Sequence, residues 1–253
     1  MSNVQISVMV NGRERTAWVH VPSQHDPNGA PIEAVFCFHG GNGSGQTFAG
    51  KWASYMDSHY LLVFPDAVDR AGGGKRWIIP TDEYEGEDSN DDLDFVDALR
   101  TKIETDYNVS LLHATGFSSG GKMTWGLYAY RAGPFFSFAP VCRKKPDGLP
   151  APITPRSALL VFGRQDPKNT PAEMMLSAEW LLSQWGLDSE SNYIQARKNS
   201  CDGKYIVRKY GQPEPSPLPA VWIHNHIQAG HEWLDCPAYR TTYYVLNFIG
   251  NAG

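Results

Sequence analysis

The chain has 253 residues, a length that allows one sizeable hydrophobic core, and we expect a single domain over residues 1–253. Hydrophobic residues make up 42% and aromatic residues 12%, which is the composition of a folded protein and argues against disorder. The formal net charge of -5 comes without a basic cluster, and no apolar stretch approaches the roughly 18 residues that a membrane helix needs. We therefore expect neither a nucleic-acid nor a membrane partner.

Apolar runs along the chain predict nine strands. They lie near residues 4–10, 16–21, 33–38, 60–64, 111–115, 135–139, 157–162, 204–209 and 220–226. Helices fit between the strands, and this alternation predicts the α/β class, with a mostly parallel central sheet and helices on both faces. Ligands of such sheets bind at the carboxyl ends of the strands, so the loops that follow the strands are where chemistry is expected.

Three helices are predicted from their apolar faces. The residues that mark them are Leu93, Val96, Leu99 and Ile103; Met174, Ala178, Leu181 and Trp185; and Tyr243, Leu246 and Ile249. The first helix follows Asn90, Asp91 and Asp92, which we interpret as capping residues. A cation site at Asp91, Asp92 and Asp94 is the alternative, but capping and solvation at a helix N-terminus explain these carboxylates more simply.

A glycine-rich loop, residues 39–45 (H-G-G-N-G-S-G), follows the predicted strand 33–38. An H-G-G segment in this place is typical of an oxyanion hole, with the amide of Gly41 as one donor and that of Ser119 as the other. His39 is expected at the substrate-binding edge as a structural histidine that bonds loop backbone and orients the neighbouring amides. Phosphate binding is the alternative, but the loop lacks the G-K-[ST] and G-x-G-x-x-G patterns.

Residues 116–120 (G-F-S-S-G) lie between the predicted strand 111–115 and a helix expected over 123–130. A G-x-S-x-G sequence at a sharp strand-to-helix turn presents a nucleophilic serine, which makes Ser118 the candidate nucleophile. Glycine at both ends fits a turn whose neighbours pack too closely for a Cβ atom. The alternative is a glycine-rich turn without a catalytic role.

A serine nucleophile needs an imidazole that takes its proton and a carboxylate that orients the imidazole, in the chain order serine, acid, histidine. Asp166 follows the predicted strand 157–162 directly and is the candidate acid. His231 leaves the last predicted strand on a loop and is the candidate general base. Asp188 and Asp202 are alternative acids, but neither follows a buried strand at this sheet edge.

Other histidines fit the triad order less well: His20, His59 and His113. His224 and His226 share one face of a predicted strand, which is one way to make half of a metal site. No carboxylate or cysteine stands at convincing ligand spacing, so we interpret both as packed or surface histidines. We expect no metal and no cofactor.

The four cysteines are too sparse to define a disulfide framework. Cys37 is interpreted as a buried strand residue, and Cys201 and Cys236 flank the last two predicted strands and are candidates to approach each other. Reduced thiols are favoured because no secretory signal is visible at the N-terminus. The predicted location is the cytoplasm if Met1 is the natural start, and outside the cell if a signal peptide has been removed.

Several segments together carry a resemblance to a known family. They are residues 15–22, 38–41, 64–66, Trp77, 90–95, the serine turn and 229–233. With these segments the chain resembles the polyhydroxybutyrate depolymerase-like and feruloyl esterase group of α/β-hydrolases. The resemblance implies a single-domain α/β-hydrolase fold and a serine carboxylester hydrolase that acts through an acyl-enzyme without a metal. Its substrates would be feruloyl or acetyl esters linked to polysaccharides, or hydroxyalkanoate oligoesters.

The substrate is where the chain departs from this family. Leu234 stands where the family often has proline, and residues 72–87 are glycine-rich and then acidic. Trp77 and Trp233 are predicted to wall the cleft by stacking on an aromatic acyl group, and packing beneath loops is the alternative. We expect a small or oligomeric ester as the ligand and make no prediction of the oligomeric state. A serine peptidase or acyltransferase with the same triad, and a non-catalytic binding module, are the competing hypotheses.

Overall fold

The computed structural model describes residues 2–56, 59–71, 73–82, 88–191, 193–201, 203–211, 221–236 and 239–252. Several sequence-based expectations concern residues that are not in these ranges. The alternative acid Asp202, the strand position at residue 220 and part of the segment 72–87 lie outside the described residues.

The described residues form twelve strands and five α-helices. The strands are β1 (Ser2–Val10), β2 (Arg13–Val21), β3 (Ile32–Phe38), β4 (Tyr60–Pro65), β5 (Val109–Phe117), β6 (Phe135–Val141), β7 (Ser157–Gly163), β8 (Tyr193–Ser200), β9 (Gly203–Tyr210), β10 (Val221–His226), β11 (Asp235–Cys236) and β12 (Tyr239–Arg240). The helices are α1 (Gly45–Ala49), α2 (Asp91–Tyr107), α3 (Ser119–Tyr130), α4 (Pro171–Ser183) and α5 (Thr241–Ala252), and a 3-10 helix spans Gly50–Tyr55.

Ten strands form one sheet in the order β1-β2-β4-β3-β5-β6-β7-β10-β9-β8. The neighbours from β4 to β10 run parallel, and the pairs at both ends run antiparallel. The mostly parallel central sheet is thus confirmed, and each of the nine predicted strands is present. The strand β8, which pairs with β9 at the sheet edge, was missed.

Two hydrophobic cores lie on opposite faces of the sheet, because successive side chains of a strand point to opposite sides. In β3, Ala34, Phe36 and Phe38 belong to one core, and Val35 and Cys37 belong to the other. Helices α2, α3 and α4 pack on the first face, while α1, the 3-10 helix and α5 pack on the second. Helices on both faces were predicted, and this is confirmed.

The parallel strands end at one edge of the sheet, where the loops of interest lie. Phe38 at the end of β3 pairs with Gly116 of β5, and Gly163 at the end of β7 pairs with His226 of β10. Just beyond, the amide of Gln165 donates to the carbonyl of Ala229 at 3.0 Å. The loops that follow β7 and β10 are therefore bonded to each other, and the candidate acid and base lie in these two loops.

The structure corrects two details of the predicted final helix and of the cysteines. Tyr243 was expected to face inward but is 49% exposed, because it lies two residues, or roughly 200° around the helix, from the buried Val245. Cys201 and Cys236 were expected to be reduced, but they form a disulfide whose Cα atoms lie 5.6 Å apart. The unpredicted turn between β8 and β9 brings Cys201 to Cys236. Cys37 is buried, as predicted.

The helices of the described residues were also compared with the length and hydropathy that a bilayer requires. None of them would be able to cross a membrane.

Candidate active site

Ser118 occupies the sharp turn between β5 and α3. Its backbone has φ 55° and ψ -109°, a conformation that costs a non-glycine residue about 1–3 kcal/mol and that persists only where the surrounding structure enforces it. The amide of Ser118 donates to the carbonyl of Val141 in the neighbouring strand at 3.0 Å, and the carbonyl of Ser118 accepts from Lys122 in the helix. The turn is therefore held by the neighbouring strand β6 and by the helix α3 that it begins.

The glycines that flank the serine are required by close packing and not by their backbone angles. A Cβ atom at Gly116 would lie 2.3 Å from the carbonyl oxygen of Gly120. A Cβ atom at Gly120 would lie 2.0 Å from the carbonyl oxygen of Phe38. These distances are far below van der Waals contact, so β3, β5 and α3 approach each other closely only because side chains are absent here.

The three predicted triad side chains meet at this edge of the sheet. His231 Nε2 lies 2.7 Å from Ser118 Oγ, and His231 Nδ1 lies 2.8 Å from Asp166 Oδ2. With Nδ1 protonated towards the carboxylate, Nε2 is the acceptor of the serine proton. Ser118, Asp166 and His231 are far apart in the chain but form one continuous hydrogen-bonded line.

The carboxylate of Asp166 is buried, and both of its oxygens accept hydrogen bonds. The amides of Lys168 and Asn169 donate to Oδ1 at 2.7 Å and 3.1 Å, and Asn169 Nδ2 donates to Oδ2 at 3.1 Å. Burial raises the pKa of Asp166, but the hydrogen bonds from His231, Lys168 and Asn169 outweigh it, and the pKa lies below its usual value. The carboxylate therefore stays charged beside the imidazole.

Asn169 was missed by the sequence analysis. Besides holding Asp166, its side-chain amide donates to the carbonyl of Cys142 at 3.1 Å and accepts from the amide of Lys144 at 3.0 Å. It thereby joins the acid loop to the segment that follows β6. The available signal was its place three residues after Asp166, since an Asp side chain in such a turn bonds the following backbone amides.

His39 is buried in the glycine-rich loop and bonds only backbone groups within the described residues. Its Nδ1 lies 2.6 Å from the carbonyl oxygen of Gly40, and its Nε2 accepts from the amide of Ala67 at 3.0 Å. Burial lowers the pKa of His39 and opposes its protonation, while the bond to Gly40 acts in the other direction. The geometry is that of the structural histidine proposed from the sequence.

The bond from His39 also orients the neighbouring peptide plane. The carbonyl of Gly40 accepts from both His39 and Gly43, and in a trans peptide the following N–H, that of Gly41, points the opposite way. The N–H of Ser119 lies in the first turn of α3, where no intrahelical acceptor exists. Within the described residues neither amide donates to another main-chain group, which leaves both available as oxyanion donors.

The two tryptophans predicted to wall the cleft are both buried. Trp77 has none of its surface exposed, and its indole N–H donates to the carbonyl of His39 at 3.0 Å. Trp233 packs against Phe48 and Trp52 in the second core, with ring centroids 5.1 Å and 5.8 Å away. This burial supports the alternative that both pack beneath loops, in place of stacking on an acyl group.

An aromatic side chain that does reach the reactive pair is Phe117, the residue before the serine. Its ring centroid lies 5.2 Å from that of His231, and its side chain is only partly buried. The sequence signal was its place inside the G-x-S-x-G turn, where a side chain of the strand end borders the serine.

Asp91 and Asp92 were interpreted as capping and solvated residues, and this was wrong. Both are buried and form ion pairs with two arginines: Arg15 Nη1 with Asp91 at 3.0 Å, Arg15 Nη2 with Asp92 at 2.6 Å, and Arg70 with Asp91 and Asp92 at 3.3 Å and 2.7 Å. Asp92 also accepts from the amide of Ile78 at 2.7 Å. We call Arg15, Arg70, Asp91 and Asp92 the buried ion-pair group.

The side chain of Asn90, also interpreted as a cap of α2, makes no capping hydrogen bond. The aspartates that follow it turn towards the strand β2 and the arginines, because inward charges gain more from these partners than from the helix end.

His224 and His226 are packed histidines, as interpreted. His224 Nδ1 lies 3.0 Å from the hydroxyl of Tyr239, and the ring of His226 stacks on Tyr205 at 4.9 Å. Burial lowers the pKa of both, that of His226 to about 3. Across the described part of the chain, no group of three or more His, Cys, Asp or Glu side chains is placed to hold a metal ion.

The known proteins to which the chain is similar include esterases. No family model matches the chain. The chain is 28% identical to the probable feruloyl esterase C of Aspergillus niger over 162 residues, which cover 62% of the chain and 56% of that protein. The chain thus spans little more than half the length of this curated relative.

Solved structures cover the chain more completely at low identity. The acetyl xylan esterase from Aspergillus awamori matches with a TM-score of 0.69 over 97% of the chain and 98% of that structure, at 15% identity. The chain has the α/β-hydrolase fold. A ferulic acid esterase from Anaeromyces mucronatus, in complex with ferulic acid, has this fold too and matches with a TM-score of 0.61 over 99% of the chain and 90% of that structure, at 15% identity.

The α/β-hydrolase fold was predicted from the serine turn and the strand–helix alternation, and it is confirmed. The proteins named above are described as feruloyl, ferulic acid and acetyl xylan esterases, and none of these three is described as a polyhydroxybutyrate depolymerase. Hydroxyalkanoate oligoesters as substrates stay a prediction.

Proposed function

We propose that the chain is a serine carboxylester hydrolase that acts through an acyl-enzyme, with Ser118 as nucleophile, His231 as general base and Asp166 as the orienting acid. The observation that carries the proposal is the unbroken hydrogen-bonded line from Ser118 Oγ through the imidazole to the buried carboxylate. A strained turn that exposes the serine supports the same assignment.

The first half-reaction forms the acyl-enzyme. Ser118 Oγ attacks the ester carbonyl carbon while its proton passes to His231 Nε2, and the carbonyl oxygen becomes an oxyanion. The amides of Gly41 and Ser119 are proposed to hold this oxyanion, and preorganised donors of this kind contribute most of the electrostatic stabilisation. The tetrahedral intermediate then collapses, and the alcohol leaves with the proton from His231.

The second half-reaction returns the enzyme. A water molecule gives its proton to His231 and attacks the acyl carbon, and collapse of the new tetrahedral intermediate releases the carboxylic acid and restores the Ser118 hydroxyl. Asp166 stays ionised throughout, because burial is outweighed by the hydrogen bonds that it accepts. Its charge stabilises the imidazolium that forms in both halves.

The proposed substrates are feruloyl or acetyl esters linked to polysaccharides, by analogy with the relatives named as feruloyl, ferulic acid and acetyl xylan esterases. Hydroxyalkanoate oligoesters are the second substrate class that the sequence resemblance suggests. We propose that residues 1–253 act as one catalytic domain. The disulfide between Cys201 and Cys236 supports an oxidising location outside the cytoplasm, since disulfides seldom persist in reducing compartments.

A substrate panel tests the proposal. Protein expressed in an oxidising compartment is assayed with p-nitrophenyl acetate, methyl ferulate, acetylated xylan oligomers and hydroxybutyrate oligomers, with a matched peptide amide and an added alcohol acceptor. We expect ester hydrolysis that exceeds amide hydrolysis and transfer to the alcohol. Dominant amide cleavage would indicate a peptidase, dominant transfer an acyltransferase, and no turnover of any substrate a binding module, and each of these results would contradict the proposal.

A further inference from the structure

One short segment of the structure contacts both sides of the proposed oxyanion hole. Residues 75–78, which we call the brace, lie between the glycine-rich loop and the start of α3. The carbonyl of Lys75 accepts from the amide of Asn42 at 2.8 Å, and the indole of Trp77 donates to the carbonyl of His39 at 3.0 Å. The main-chain N–H of Trp77 donates to Ser119 Oγ at 3.1 Å.

These bonds lie next to the two donors themselves. Asn42, the residue that follows Gly41, is bonded to the carbonyl of Lys75. The peptide bond between His39 and Gly40, just before Gly41, is bonded to the indole of Trp77. Ser119, whose amide is the second donor, is bonded through its own side chain to the main chain of Trp77. The brace therefore spans the gap between a loop beyond β3 and a helix beyond β5.

The sheet alone does not set this spacing. The last paired residues of β3 and β5 are Phe38 and Gly116, and both Gly41 and Ser119 lie three residues beyond the register that the two strands share. An oxyanion is bound well only when two donors point at one place, and small displacements of reacting groups are costly. A third segment bonded to both sides supplies the missing constraint.

The brace is itself anchored to the body of the protein. The amide of Ile78 donates to Asp92 of the buried ion-pair group at 2.7 Å. One turn further, Asp82 accepts from the amide of Ile79 at 2.9 Å and pairs with Lys122 of α3 at 2.5 Å. Charged acceptors that are themselves paired with cations hold these amides firmly.

We propose that the Ser119 hydroxyl is a positioning residue of the oxyanion hole, acting as the acceptor that fixes the brace to the first turn of α3. The inference rests on the proposed function, because it concerns the donors used in that reaction. Without the hydroxyl, the main-chain N–H of the buried Trp77 loses its acceptor, and the brace shifts towards another partner. The carbonyl of Lys75 and the indole of Trp77, which hold the glycine-rich loop, shift with it.

The test compares Ser119→Ala with Ser119→Thr, which keeps a hydroxyl at the same place. The matched control is Thr124→Val on the same helix, which removes a buried hydroxyl that is bonded at 3.0 Å to the carbonyl of Gly120 and that, among the described residues, makes no hydrogen bond to the brace. Active sites are titrated with a fluorophosphonate run to completion, so that rates refer to folded enzyme only. Then kcat, KM and inhibition by phenylboronic acid, which forms a tetrahedral adduct with the serine, are measured.

We expect Ser119→Ala to lower kcat about 10-fold with KM changed less than about twofold, because a displaced donor is lost mainly in the transition state. Phenylboronic acid is expected to bind more weakly by a similar factor, while Ser119→Thr recovers most of the rate and Thr124→Val resembles wild type. A purely structural role would lower the melting temperature and leave kcat per titrated site unchanged.

The outcomes separate the two proposals. Active wild-type enzyme with unchanged kcat and unchanged boronate inhibition in Ser119→Ala overturns the positioning role and leaves the proposed function standing. Equal losses in Ser119→Ala and Ser119→Thr overturn it as well. A wild-type protein that hydrolyses no ester overturns the proposed function, and this inference with it.

Discussion

Replacement of Asp92 by asparagine is expected to destabilise the protein strongly. Its side chain has no exposed surface and pairs with the fully buried Arg15 at 2.6 Å and with Arg70 at 2.7 Å. Asparagine fills the same volume, but its amide nitrogen donates where the arginines also donate. One buried guanidinium edge is then left without a carboxylate.

The magnitude follows from the charge balance of the buried ion-pair group. Two arginines and two aspartates cancel, and Asp92→Asn leaves a net positive charge in the interior. Removing one partner of a buried pair costs about 3–5 kcal/mol, which is a large share of a total stability of about 5–15 kcal/mol. At roughly 2–4 °C per kcal/mol for a chain near this size, the melting temperature is expected to fall by about 10 °C.

The matched control is Asp94→Asn, two residues later in the same first turn of α2. Asp94 is partly exposed and pairs with Arg131 at 3.6 Å, and such surface pairs contribute at most about 1 kcal/mol. Both variants remove one negative charge near the helix N-terminus, so the effect on the helix dipole cancels in the comparison. Urea unfolding of wild type and both variants is the assay, and equal midpoints for Asp92→Asn and Asp94→Asn would refute the reasoning.

Three other predictions follow from the site and its surroundings. Asp166→Asn is expected to lower kcat by about 10⁴-fold while Ser118 still reacts slowly with a fluorophosphonate, because the amide favours the wrong tautomer of His231; a loss below tenfold would contradict the role of the acid. Cys201→Ser with Cys236→Ser, or reduction of the bond, is expected to cost roughly 3–4 kcal/mol for a closed loop of 35 residues, and four free thiols in the unfolded, unreduced protein would disprove the disulfide. His226 has a pKa of about 3 in the folded protein, against about 6.5 when unfolded, so its neutral form stabilises the protein above pH 6.5 and this contribution is lost as the pH falls towards 3. His226→Gln should therefore flatten the pH dependence of the free energy of urea unfolding by up to about 1.4 kcal/mol per pH unit. An unchanged slope between pH 6.5 and 4.5 would contradict this.

The parts of the site that were predictable lie directly after buried strands. Ser118, Asp166 and the loop 39–45 each follow an apolar run that ends in or near glycine, and the parallel sheet brings such ends to one edge. His231 was predictable because the order serine, acid, histidine left few other candidates. Local pattern and chain order therefore sufficed for these residues.

The missed features depend on contacts between distant segments. Nothing near Asp91 and Asp92 indicates the arginines that neutralise them, although Arg15 stands in alternation with the buried Ala17 and could have been recognised as facing inward. The strand β8 lies at the sheet edge and has few apolar residues in alternation, and missing it also hid the turn that carries Cys201 to Cys236. The burial of Trp77 likewise depends on a distant segment, the glycine-rich loop 39–45, whose His39 carbonyl accepts from its indole.

The central claim is that Ser118 becomes acylated through a proton transfer to His231. The most direct measurement is peptide mapping of the protein after reaction with a fluorophosphonate, together with turnover of p-nitrophenyl acetate by Ser118→Ala and by Ser183→Ala, a control serine on the surface of α4 that donates to the carbonyl of Trp180. The account predicts a label on Ser118 alone, no turnover by Ser118→Ala and full turnover by Ser183→Ala. A label on another residue, or hydrolysis that survives in Ser118→Ala, would contradict it.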